Sequence, residues 1–407
     1  MTQALLQTRT TPHRAGDAHS AKGLKTRVAM VTPWQGVCGN AEYAHKLVQG
    51  LSHRVDVVPL RLAAYPHAKG HLANLLAAIE ASSVDVVHIQ HEYVFFGSDP
   101  IASNRALLDF VSKVNRPIVI TLHTVSHAPL SGISLRHRWL TAAFQLVQRL
   151  CGLVNWRIVR TSLRKLTEFL RRWDALHRAL EKSSAIIVHT QHSSEILASY
   201  FPDIAQKIRV VPIPVMTSPE IGEPPLQKRP GEVWLMLMGF VLEHKRHMLA
   251  VDALQHLPEN YQLVVAGGPH PHDAGSRRYW RELVREIDRA RMTERVVFTG
   301  FVADRRQYFG ILNLADVFLM PYREVGQSAS AVLADILSLG KPIITSAAES
   351  LCEYRDDADS WACSFSGHVE DARQFADEIL HLHRESSNPK ATYKAHAAKA
   401  ARKYAID

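Results

Sequence analysis

The sequence predicts an α/β protein made of two doubly wound, Rossmann-like domains facing each other across a cleft. Three observations carry this. Twelve short apolar runs recur along the chain without polar–apolar alternation, the mark of parallel strands covered by helices on both faces. Helical stretches separate them, giving the alternation of a doubly wound fold. Midway, Thr217–Glu232 is proline-rich and has no apolar period, as an interdomain linker does.

In order, the first-half runs are Arg27–Val31, Val55–Pro59, Asp85–Gln90, Pro117–Thr121, Ala185–His189 and Ile208–Pro212. Those of the second half are Val233–Met238, Gln262–Ala266, Arg295–Thr299, Asp316–Met320, Pro342–Thr345 and Trp361–Phe365. The expected organisation is a mobile tail over 1–26, a first domain over 27–216 with a helical basic insertion at 131–183, and a linker over 217–232. A second domain follows over 233–370, then a helical tail over 371–407.

A length of 407 residues fits two or three domains of ~150 residues. With 46% hydrophobic and 21% charged residues, collagen-like and largely disordered classes are excluded. Four scattered cysteines (Cys38, Cys151, Cys352, Cys363) contain no Cys-x-x-Cys pair. This argues against a disulfide scaffold or zinc ribbon and fits a reducing, cytoplasmic setting. No apolar run approaches ~18 residues, and the first residues lack the apolar core of a secretory signal.

The net charge is +9, and residues 135–182 alone hold eleven Lys and Arg against three acids. The rest is nearly neutral, which argues against nucleic acid as a partner. In the basic segment apolar residues recur at helical spacing, from Trp139 to Val154 and from Leu163 to Leu180, with arginines on the polar sides. Two readings stand: a helical pair packed on the first domain, or one lying on an anionic membrane surface. In the second, each basic residue adds ~1 kcal/mol and the protein sits peripherally on the inner face.

In doubly wound sheets, ligands bind at the carboxyl ends of the strands, and the unusual residues cluster there. The first strand leads into Gly36-Val-Cys-Gly39-Asn40 and a helix beginning near Tyr43, a turn whose amides suit an anion. After the third strand comes His88-Ile-Gln-His91-Glu92-Tyr93, and after the fourth Leu122-His123-Thr124. These are either metal ligands or a polar wall for sugar hydroxyls. The second is preferred, because no pair has helical i, i+4 spacing and no cysteine joins them. In the second half, Lys245 and Arg246 are expected at the mouth of the cleft, where phosphates bind. Gln327-Ser328-Ala329-Ser330 opens a helix that contains Asp335, an acid expected to have a polar partner.

Together the stretches CGNAEYAHKL, DVVHIQHEYVFFG, PIVITLHTV, GFVLEHKRHMLAVDAL, LVVAGG, VVFTGFV and PYREVGQSASAVLADILSLGKPIIT resemble glycosyltransferase family 4, over roughly residues 27–400. The resemblance implies the GT-B fold and retaining, metal-independent transfer of a hexose, mannose slightly favoured, from a nucleotide-diphosphate sugar. The implied acceptor is a glycan or lipid-linked molecule, as in polysaccharide biosynthesis, and no cofactor is implied. Lys245 resembles the lysine that binds the donor diphosphate, with Arg246 beside it, and Gly39 the glycine whose amide meets that diphosphate, next to Asn40. His123 resembles the histidine that reaches the donor sugar, so His123 and Lys245 are the candidate catalytic pair. Phe301 resembles the position whose backbone recognises the nucleobase. Gln327, Ser328, Ala329, Ser330 and Asp335 cover the family's E-x7-E motif, whose second acid contacts the ribose. His91, Glu92 and Tyr93 face the acceptor side.

Departures are clear. The motif here is Q-x7-D, Phe240 stands where many members have arginine, and the sequence stops about where the family's closing helix would begin. The alternative these support is a non-catalytic, glycosyltransferase-like scaffold, with a nucleotide-sugar epimerase behind it.

Overall fold

The computed structural model describes residues 25–34, 39–63, 67–68, 70–125, 173–216, 218–271, 273–323, 329–346, 348–351, 363–365 and 371–386. Residues 1–24 of the tail expected over 1–26, most of the basic insertion, Gln327, Ser328 and residues 387–407 of the expected helical tail lie outside these residues, while Thr26 already belongs to the first strand.

All twelve apolar runs form strands, most shifted by a residue or two at an end. The first sheet comprises β1 (Thr26–Thr32), β2 (Val55–Arg61), β3 (Val86–His91), β4 (Ile118–Leu122), β5 (Ala185–Val188) and β6 (Ile208–Val210). Its order is β2-β1-β3-β4-β5-β6, and every pairing is parallel. The second comprises β7 (Val233–Met238), β8 (Tyr261–Ala266), β9 (Val296–Phe298), β10 (Val317–Met320), β11 (Ile343–Thr345) and β12 (Cys363–Phe365). It is also parallel, in the order β12-β11-β10-β7-β8-β9. The central strands are apolar throughout because both their faces are covered: β7 is buried at all six positions.

The helices are α1 (Gly39–Leu51), α2 (His71–Ala81), α3 (Tyr93–Phe96), α4 (Pro100–Val111), α5 (173–182), α6 (Gln191–Tyr200), α7 (His247–Leu254), α8 (Ala274–Arg289), α9 (Arg305–Asn313), α10 (Ala331–Leu337) and α11 (Ala372–Ser386). Their starts follow side-chain caps: Asp99, Thr190, Asp273, Asp304 and Ser330 each accept from an amide of the first turn, satisfying donors the helix leaves open. The helix expected from Tyr43 begins four residues earlier, at Gly39.

One core fills the first domain and one lies along a face of the second. A third joins the two domains: Met30, Tyr43, Ala44 and Leu47 belong to one apolar cluster with Trp234, Phe318, Tyr322 and Leu333. Helix α5 is the end of the expected amphipathic stripe. Its Trp173, Leu176, Ala179 and Leu180 are buried in the first-domain core, and Trp173 packs beside Tyr200 and Phe201. For these turns packing is what the apolar stripe does. Among the described residues no helix is long and apolar enough to cross a membrane.

Candidate functional site

Lys245 departs most from expectation. Instead of a solvated cation at the cleft mouth, it is 6% exposed. Past β7 the chain turns at Gly239 with φ of +84°, a left-handed conformation that glycine adopts without strain. A Cβ at Gly239 would lie 2.6 Å from the Lys245 Nζ, so the missing side chain is the room the ammonium occupies. Nζ donates to the Met238 carbonyl oxygen at 2.8 Å and lies 5.7 Å from the centre of the Tyr322 ring. Burial lowers its pKa from 10.5 to about 7, because a charge loses its hydration there. Arg246, also left-handed at φ +56°, opens α7 and is half-buried.

The floor of this site is backbone. A Cβ at Gly267 would meet the Gly239 carbonyl oxygen at 2.0 Å, so the loops after β7 and β8 approach more closely than any side chain permits. Gly300 has φ of +67°, and Phe301 after it projects outward, 56% exposed. Ser330 accepts from the Leu333 amide at 3.2 Å, so its hydroxyl closes its own helix; Ala329 precedes it.

Asp335 sits one turn into α10 and is 5% exposed. Its expected polar partners exist, and one comes from the other domain. Oδ1 accepts from Lys46 Nζ at 2.8 Å and from Arg305 Nη2 at 2.7 Å, and Oδ2 accepts from the Tyr308 hydroxyl at 3.3 Å. Arg305 also pairs with Glu42 at 3.2 Å. Glu42 and Lys46 lie one turn apart on α1, so this helix holds α9 and α10 by charge. Both oxygens of the acid implied to contact a ribose are thus engaged by protein groups.

On the first domain, Gly39 and Asn40 form the first residues of α1. Gly39 is exposed, and a Cβ there would meet no atom within 4 Å. The polar wall expected after β3 is largely internal: His88, Gln90 and His91 are buried, because β3 is a central strand. His91 stacks on Phe96 at 5.8 Å, and neither of its nitrogens has a hydrogen-bond partner. Burial holds it at a pKa of about 4. Glu92 and Tyr93 are only partly covered. Glu92 accepts from the Thr124 hydroxyl at 2.7 Å and from the Tyr93 amide at 3.0 Å. Its burial raises the carboxyl pKa against these bonds.

His123 follows β4 and is part-exposed. Its Nε2 lies 2.8 Å from Gln90 Oε1 and its Nδ1 3.1 Å from His189 Nε2. Tyr43 of α1 stands edge-on to both rings, with centroids 5.1 and 5.0 Å away. Its hydroxyl is buried without a partner. Burial first, then the neighbouring imidazoles, push His123 well below the usual histidine range.

The sequence reading missed His189, Gln90, Tyr43, Lys46 and Arg305 as site residues. A signal existed for His189, because its run ends in histidine, as strand β3 ends at His91 and His123 follows β4. Among the described residues no group of three His, Cys, Asp or Glu side chains is placed to hold a metal ion.

Two parallel, doubly wound domains facing a cleft, with their unusual residues at the strand ends, define a GT-B fold. Residues 232–385 match the family model described as Glycosyl transferases group 1. Comparison with curated proteins gives no match.

Among solved structures, the chain is similar to HepE of Anabaena in complex with UDP-glucose. The two share 15% identity over 93% of this chain and 96% of that one, with a TM-score of 0.59. Sucrose-phosphate synthase from Thermosynechococcus elongatus gives a TM-score of 0.64 at 15% identity, over 93% of this chain and 95% of that one. A UDP-forming trehalose-phosphate synthase from Burkholderia xenovorans gives 0.64 at 11% identity, over 94% and 96%. At these identities the likeness is one of fold.

Proposed function

We propose that the chain is a retaining glycosyltransferase of family 4 type, moving a hexose from a nucleotide-diphosphate sugar to a glycan or lipid-linked acceptor. The observation that carries this is Lys245, a buried ammonium whose hydrogen bond is to a single carbonyl. Among the described residues this cation has no acid partner, which favours an anionic ligand, and it stands at the strand end where such sheets bind nucleotides.

In the reaction, the acceptor hydroxyl attacks the anomeric carbon on the face the phosphate leaves. The bond from that carbon to the phosphate oxygen breaks, and the acceptor's proton passes to the departing phosphate. The nucleoside diphosphate carries away the negative charge, and stabilising it is the main catalytic task. Lys245, Arg246 and the amides at Gly39 and Asn40 supply positive potential, and His123 reaches the sugar. Phe301 meets the nucleobase, while Glu92, Tyr93 and His91 line the acceptor side. Domain closure excludes water.

HepE is described with UDP-glucose, which supports a UDP-sugar, whereas the sequence motifs lean towards GDP-mannose. Thermal-shift screening against UDP, GDP and ADP separates these, since a bound nucleotide raises the melting temperature. Purified protein should then slowly hydrolyse the matching donor and glycosylate an acceptor, with undiminished rate in EDTA. Loss of activity in EDTA, restored by manganese, would overturn the metal-independent reading.

One observation favours the second reading, a non-catalytic scaffold: Asp335 is already saturated by Lys46, Arg305 and Tyr308. A protein that binds nucleotide but never hydrolyses any donor would support it.

A further inference from the structure

A single hydrogen-bonded chain crosses the carboxyl ends of four adjacent strands, from β3 to β6. It runs from the Thr121 hydroxyl to His88 Nε2 (2.8 Å), on to Gln90 Nε2 (3.1 Å), and from Gln90 Oε1 to His123 Nε2 (2.8 Å). It continues from His123 Nδ1 to His189 Nε2 (3.1 Å) and ends where His189 Nδ1 meets the Val211 carbonyl oxygen (2.9 Å).

The hydrogens of this chain can be counted. The Val211 carbonyl only accepts, so His189 Nδ1 carries a hydrogen. Gln90 Oε1 only accepts, so His123 Nε2 carries one as well. The contact between the two rings needs a third. Two neutral imidazoles own two N–H groups between them, so with the Gln90 oxygen turned to His123 the pair carries one added proton, and with its NH2 turned there it carries none.

When that proton leaves, His189 still presents a bare Nε2, and His123 still donates to it from Nδ1. His123 Nε2 is then an acceptor, which the Gln90 amide satisfies by turning its NH2 towards it. The Gln90 oxygen then faces His88, whose ring moves its hydrogen to Nε2, and the Thr121 hydroxyl changes from donor to acceptor. The contacts of the His123–His189 pair are satisfied in both proton states, because the Gln90 amide works in either direction, while His88 Nε2 shares its one lone pair or one hydrogen between Gln90 and Thr121.

We propose that His189 is the positioning residue of His123, the two rings and the Gln90 amide forming one unit that holds a single exchangeable proton beside the donor sugar. The Val211 carbonyl fixes the tautomer of His189, and His189 fixes that of His123, as a partner on one ring nitrogen sets the state of the other. Among the described residues the titratable groups around the pair are His88 and His91 of β3, Glu92 just after it, and Tyr43 of α1; Glu92 is already engaged by Thr124 and the Tyr93 amide. Burial holds His189 near a pKa of about 4, so at neutral pH the added proton arrives with a nearby negative charge, which a nucleoside diphosphate supplies. This placing of a donor rests on the transferase reading above.

Histidine 15N NMR of the full chain tests the unit without needing turnover, with His189→Gln and His123→Gln assigning the signals. The expected result is one single-proton step shared by both rings, moved by at least about one pH unit towards neutrality when UDP or GDP binds. Two independent steps, or no movement with a nucleotide that raises the melting temperature, would overturn the proposal. Coupled titration in a protein that turns over no donor would instead refute only the transferase reading.

In kinetics, His189→Phe should lower kcat roughly tenfold, the scale of one hydrogen bond. Donor KM should stay within about twofold, and the acid limb of the kcat profile should shift. His189→Gln, which can accept from His123 and donate to Val211, should recover part of kcat but no titration. Equal losses in kcat and KM with an unchanged pH profile would leave His189 a packing residue only.

Discussion

Replacing Lys245 with methionine separates the shape of this side chain from its charge. A fall from 10.5 to about 7 is roughly 3.5 pH units, worth about 5 kcal/mol at ~1.4 kcal/mol per unit. Between pH 7 and 10.5 the unfolded chain keeps a proton on this lysine that the folded chain has lost, so stability rises with pH through that window. Below pH 7 the full penalty of the buried charge is present.

Methionine carries no charge, so Lys245→Met should unfold at higher urea than wild type at pH 6. Its advantage should shrink steadily as pH rises towards 10. A bound diphosphate restores the lysine's charge, so wild-type affinity for a nucleoside diphosphate should be level below pH 7 and fall by up to about tenfold per unit above it. The methionine variant should bind weakly with no such slope. Urea unfolding and calorimetry from pH 6 to 10 read both effects. A stability difference between the two proteins that stays constant across that range would refute the buried-charge argument.

Asp335→Ala leaves the buried Lys46 without its acid, while Arg305 keeps Glu42, and should cost up to about 3–5 kcal/mol in urea unfolding. Lys46→Met leaves Asp335 with Arg305 and Tyr308 and should cost clearly less. Gly267→Ala drives a Cβ into the Gly239 carbonyl and should destabilise by roughly 1–3 kcal/mol. It should also weaken nucleotide binding through Lys245, whereas Gly39→Ala, which has room for a methyl, should leave the melting temperature nearly unchanged. If residues 135–172 lie on an anionic membrane, the protein should float with phosphatidylglycerol vesicles but not neutral ones, and salt should release it. Equal behaviour with both vesicle types would leave only the packing role seen for Trp173 and Leu180.

Strands were legible because burial on both faces writes them as uninterrupted apolar runs: VWLMLM at β7 admits little else. Helix α1 was read four residues late because Gly39 and Asn40 are poor helix formers inside, though suited to a first turn. The burial of Lys245 had no local signature, since it depends on the dihedral at Gly239 and on a carbonyl seven residues upstream. Asp335 announced that it needed a partner but not which one: Lys46 is 289 residues away, and a lysine on a helix reads as a solvent-facing charge. The histidines at the ends of β3 and β4 stood out singly. Their linkage through Gln90 and His189 is a matter of strand order, which composition does not encode.

Helix α1 touches both halves of the site within a single turn. Tyr43 bears on the His123 and His189 rings, while Glu42 and Lys46 grip Arg305 and Asp335. The helix therefore works as a rocker arm with its two bearings in different domains. Any swing that widens the cleft must either drag the tyrosine across the imidazoles or pull the lysine from its acid. The cross-domain charges and the contact to the histidine pair thus share one support, a rigid stretch of helix about 6 Å long from residue 42 to residue 46 at 1.5 Å per residue.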